Sequence, residues 1–190
     1  VLEALLDGDI RDAINDSEFE DFQVNFDVSE EDREQIAEIV QRVLQDRVTE
    51  KFSQYPASVK QAYDWAVELS EAHQDRDPRF REIAELAISG QPEASDLIDS
   101  EYKFADFDEQ PDLFESSELD LPYLKTQYGR VGVIYDGMIE MYREAGVDIS
   151  TTFKKSIVLS IIGAQVWLDD IDDFEQDMAE GQLTPVTAEY

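Results

Sequence analysis

The sequence predicts an all-α fold, a single-domain bundle of five to seven helices. Apolar residues recur at the three-and-four spacing of helices in successive stretches. Capping residues open those stretches, and glycines or prolines close them. No run alternates with the period of two that a strand requires, and neither an internal repeat nor a low-complexity tract interrupts the chain. At 190 residues one domain spanning 1–190 is the expectation, and 42% hydrophobic with 11% aromatic residues is enough apolar material for its core.

Residues 1–28 mix Leu, Ile and Phe with acids and read as a lead-in with a short helix. Ser29 and Asp32 form a capping box for a helix whose expected buried stripe is Ile36, Ile39, Val40, Val43 and Leu44, ending near Tyr55-Pro56. Ser58 is the expected cap of a second helix carrying Tyr63, Ala66, Val67 and Leu69. A third opens at Asp77-Pro78, carries Phe80, Ile83, Ala84 and Ala87, and stops at Gly90. A short helix is expected between Pro92 and Asp99. Residues 100–121 form an acidic, aromatic loop in which Phe104, Phe107, Leu113 and Phe114 alternate with acids around Pro111. A linker does not spend so many aromatics, so an ordered or lid-like segment is expected. Pro122 opens the fifth helix, through Val131, Ile134, Tyr135, Met138 and Tyr142 to Gly146. Ser150 opens the last, which reaches Gly181.

Charge decides which functions remain. The 46 Asp and Glu against 15 Lys and Arg give a formal net charge of −31. Nucleic acid is excluded as a partner, because phosphate backbones require clustered Lys and Arg. Acids spread along the whole chain repel one another unless salt screens them, and molar salt shortens the Debye length to about 3 Å. The expected setting is therefore a salt-saturated cytoplasm, in which a carboxylate is notable for its position and not for its charge. No apolar run approaches the roughly 20 residues of a membrane span, the longest being Ile157 to Leu168, so no integral membrane segment is expected. The chain has no Cys, which excludes disulfides and thiolate chemistry. His73, the single histidine, reads as a surface residue at a helix end and has no partners for hydrolase chemistry. Any metal here is a hard cation on oxygen ligands.

The last helix is the unusual one. Its first half, Ile157 to Leu168, is apolar on every side, which predicts a position in the middle of the bundle. Directly after it come Asp169, Asp170, Asp172, Asp173, Glu175 and Asp177. On a period of 3.6, Asp170, Asp173 and Asp177 continue the stripe of Leu159, Gly163 and Val166. Like charges on one stripe near the mouth of a bundle call for a cation, and magnesium is the natural one. A solvated helix end adapted to salt is the competing reading, and the spacing alone leaves both open.

Asp169-Asp170, Asp173, Asp177, Gly181 and Thr184-Pro185 together resemble the second aspartate-rich motif of class I isoprenoid synthases. Gln165 is similar to the glutamine ahead of the aspartates in trans-prenyl diphosphate synthases, one residue further away. The resemblance spans about twenty residues. It implies a helical bundle with a central apolar cavity and two aspartate clusters on facing helices. Magnesium would then hold a prenyl diphosphate and draw off the diphosphate to leave a carbocation. It also implies further helices beyond Tyr190. Together with an opening Val1, this makes the sequence an expected part of a longer product.

The expected metal ligands are Asp169, Asp170, Asp173 and Asp177. No Asp-Asp-x-x-Asp stands upstream, and the substitute first cluster is Asp64 with Glu68, preferred over Asp136 with Glu140. A hairpin of the last two helices turning near Asp148 sets Asp170 opposite residue 126 and Asp136 about 15 Å off level. It also sets Lys125, Tyr128 and Arg130 level with the aspartates. These three, with Gln165, are the expected substrate-binding residues. Oligomeric state is open, a homodimer included. The alternative function is a non-catalytic helical interaction protein that keeps the fold.

Overall fold

A computed structural model describes Glu3, Leu6, Asp7, Gly8, Ile10, Ile14, residues 29–106 and residues 113–190. Among these the chain is all-helical, with eight continuous helices and no strand. That is one more than the upper end of the expected range. The reading of 1–28 as a lead-in falls mostly outside the described residues, as do Phe107 and Pro111. No described helix is long and apolar enough to cross a membrane.

Helix α1 spans Glu30–Phe52, and its cap is the expected one: the Asp32 amide donates to Ser29 Oγ at 3.1 Å. The buried stripe is not the expected one. Ala37 and Val48 are buried, whereas Ile39, Val40 and Val43 are exposed. Its C-terminal half packs on α2 (Ala57–Gln74), where Val48 and Phe52 meet Val59, Ala62 and Tyr63. Pro56, not Ser58, is the cap of α2. Helix α3 is Asp77–Ile88, closed by Gly90 at φ +70°. Helix α4 begins as Ala94–Leu97 and continues as a π-helical stretch, Ile98–Lys103, so part of the expected loop is helical.

Residues 113–121 of that segment pack onto the bundle. Phe114 and Leu119, on either side of the short 3₁₀ turn Ser116–Glu118, are buried in the main core with Leu124, Tyr128, Val133, Val158 and Ile162. Of the aromatics expected there, Phe114 is interior and Phe104 is exposed, while Phe107 lies outside the described residues. Among the described residues Tyr123, at φ +66°, is the non-glycine residue held in the left-handed region. That backbone turns the chain into α5, whose first residue is Leu124, two beyond the expected Pro122.

Helix α5 runs Leu124–Gln127, passes through a π-helical stretch at Tyr128–Gly132 and ends as Val133–Glu144. Helix α6 does the same: Thr151–Ser160, π-helical Ile161–Gln165, then Val166–Asp172. Ser150 caps it, accepting from the Phe153 amide at 3.2 Å. The chain breaks at Asp173 and resumes as α7 (Phe174–Glu180), which Gly181 closes at φ +68°; Thr184 and Pro185 then open α8 (Pro185–Ala188). The last helix of the sequence reading is therefore two helices with a break between them.

Three features bring α2, α5 and α6 close. A Cβ at Gly137 would lie 2.4 Å from Ala66 Cβ, and one at Gly132 would lie 2.8 Å from Ile162. Gly129 lies under the His73 ring, where a Cβ would meet Nδ1 at 2.7 Å. His73 is accordingly buried and not on the surface, its ring tilted against that of Phe80 with centres 5.8 Å apart.

Candidate functional site

The hairpin of α5 and α6 closes at the expected level. Asp170, 2% exposed, accepts from Arg130 Nη1 at 2.8 Å and lies 3.4 Å from Gln127 Nε2. Its neighbours on α6 are buried at Val158, Ile162 and Val166, a line stepping by four residues. The π-helical stretch shifts the phase of the helix, so this line, and not Leu159 with Gly163, leads to Asp170. The same shift leaves the opposite side in water. Gly163, Ala164, Gln165 and Leu168 are exposed, the last by 66%. The first half of α6 is thus an outer helix with one buried face, which packs on α5 and on Phe114 and Leu119.

The predicted ligands divide accordingly. Asp170 is inside, Asp177 is half-buried, and Asp169 and Asp173 are exposed. Burial pushes the carboxyl of Asp170 up, against the pull of Arg130. Burial does the same to Asp177, again opposed by Arg130, with Asp170 and Asp173 adding repulsion. Asp64 and Glu68 are exposed on α2, and Asp64 is tied to Lys60 at 2.6 Å. Among the described residues no three Asp, Glu or His converge closely enough to hold a metal. The six acids expected to form a metal site are therefore not brought together as one set, although Asp169 acts on Asp170, and Asp170 and Asp173 act on Asp177.

Of the expected substrate-binding residues, Arg130 alone meets Asp170. Lys125 turns to Asp106 at 2.9 Å and Asp120 at 3.4 Å. Tyr128 is buried and donates to Asp136 at 2.6 Å. Gln165 is exposed. Asp136 and Glu140, the pair set aside, close round Lys154, with the Lys154 to Glu140 contact at 2.5 Å. The buried charges of Asp136 on α5 and Lys154 on α6 are thereby compensated, a structural use of the pair.

Arg130 also lines a cleft of about 270 Å³ that the sequence reading did not find. Its polar wall includes His73, Asp77, Arg81 and Gln182, and Phe80 and Tyr102 form an apolar side. Two guanidinium groups on one cleft are conspicuous in a chain of net charge −31. The cleft escaped the sequence because its residues come from five separate elements. The interior between α5 and α6, by contrast, is filled by Leu124, Tyr128, Val133, Val158 and Ile162. Against family models, curated proteins and solved structures the chain shows no significant match.

Proposed function

We propose that the chain binds magnesium and a prenyl diphosphate in the manner of a class I isoprenoid synthase, in a salt-rich cytoplasm. One observation carries the reading: Asp170, Gln127 and Arg130 meet inside the bundle, and Arg130 opens onto a cleft that also holds Arg81. A planar guanidinium suits a phosphate oxygen pair, and the buried carboxylate beneath it fixes its direction.

Asp170 and Asp177 fit a hard cation by their chemistry. Both are short of hydration and raised by burial, so a divalent ion supplies charge they lack. Magnesium asks for one or two carboxylates and takes the remaining ligands from water and phosphate, so two suffice. When bound it supplies Lewis-acid polarisation of the diphosphate. Arg130 orients the phosphate and balances its charge, and the packed core behind Asp170 excludes water from that side.

The exposed positions of Asp64 and Glu68 favour a second reading, a non-catalytic interaction protein with the same bundle. Thermal melting in molar salt separates the two. Magnesium with inorganic pyrophosphate at about a hundred times its Kd stabilises by about 2.7 kcal/mol. For a chain of this size that is a rise of roughly 5–10 °C. Asp170→Asn abolishes the rise, and Asp173→Ala leaves most of it. A wild-type chain that does not respond at saturating ligand supports the second reading.

A further inference from the structure

Tyr102 is 1% exposed, and its hydroxyl has no hydrogen-bond partner among the described residues. Its place is firmly set. Thr126 Oγ1 donates to its carbonyl at 2.6 Å, and the rings of Phe80 and Tyr123 meet its ring edge-on at 5.0 Å and 5.9 Å. Burial pushes the hydroxyl's pKa well up, so it remains a donor at any ordinary pH. A fixed, buried donor with nothing to donate to is a cost that phenylalanine would avoid. Tyr102 lines the same cleft as Arg130 and Arg81, and the charge of Arg130 acts on it directly.

We infer that the Tyr102 hydroxyl is a reserved donor for a phosphate oxygen bound in this cleft, beside the Arg130 guanidinium. The inference rests on the diphosphate reading and adds to it a binding residue that lies outside the aspartate motif. Asp170 holds the guanidinium at the cleft, and an oxyanion seated there lies beside Tyr102 on the same lining. The oxygen then accepts from both groups.

The test is calorimetric titration of the full chain with inorganic pyrophosphate in molar salt, with and without magnesium, for wild type and Tyr102→Phe. Each protein is also melted without ligand. The expected variant melts a few degrees higher than wild type, because the orphaned donor is gone, and binds pyrophosphate about tenfold to a hundredfold more weakly. A variant that melts lower or does not fold overturns the inference, since the hydroxyl then serves the structure. Unchanged affinity in the variant, with the wild type binding, also overturns it and leaves the diphosphate reading in place. A wild type that binds no pyrophosphate under either condition removes both.

Discussion

Replacing Arg130 by Met tests the centre of the site. The substitution keeps the length and apolar stem of the side chain and removes its charge. Asp170 is then left 2% exposed, with Gln127 at 3.4 Å as its remaining contact. Removing one partner of a buried ion pair costs about 3–5 kcal/mol. Arg130 is itself 35% exposed, so water already screens part of the interaction, and about 2–3 kcal/mol is expected. In a melting experiment this is a fall of roughly 5–10 °C at pH 7. The effect depends on pH with a definite sign. Burial raises the carboxyl of Asp170 above its ordinary value, so the folded chain holds that proton more tightly than the unfolded chain. Its contribution to stability is full below about pH 4 and is lost as pH rises through the raised folded value. Taking away Arg130 raises that value further. The gap between wild type and variant therefore widens with rising pH and closes toward pH 4, and Arg130→Met with Asp170→Asn recovers most of the loss. Urea unfolding across pH 4 to 8 in molar salt measures this. A gap under about 0.5 kcal/mol, or one independent of pH, refutes the argument that the pair is internal and desolvated.

Gly137→Ala drives a methyl to 2.4 Å from Ala66 Cβ and costs about 1–3 kcal/mol, which Ala66→Gly relieves in the double variant. Lys154→Met leaves Asp136 buried without its cation, while Glu140 keeps Arg143 at 3.0 Å, with an expected loss of about 3–5 kcal/mol in urea unfolding. Asp64→Ala breaks an exposed pair with Lys60, costs under about 0.5 kcal/mol, and leaves magnesium titrations unaltered. A weakened titration in that variant would return Asp64 to the metal site.

The helical class, most helix ends and the level at which Asp170 faces α5 are legible in the sequence, because each depends on residues close together in the chain. Caps such as Ser29 and Ser150 act over three residues, and the hairpin estimate needs only a turn and a rise per residue. The faces of the helices are less legible. The stripe on α1 was placed on Ile39, Val40 and Val43, yet these are exposed, since a periodic pattern shows which side is apolar and not whether a neighbour covers it. On α6 the π-helical stretch Ile161–Gln165 changed the phase, so Asp173 lies outside the line to which a uniform period assigns it.

The sequence by itself determined an all-helical chain with dense, distributed negative charge, no thiol chemistry and an acidic segment next to an apolar helix. Only the tertiary structure decided which acid is buried, that Arg130 faces it, that His73 and Tyr102 are interior, and that a cleft forms where α2, α3, α4, α5 and the segment after α7 meet. The reason is physical. Local hydrogen bonding and periodicity make helices, whereas desolvation and charge pairing depend on which helices touch, and that is settled by the fit of Gly129, Gly132 and Gly137 against side chains distant in sequence.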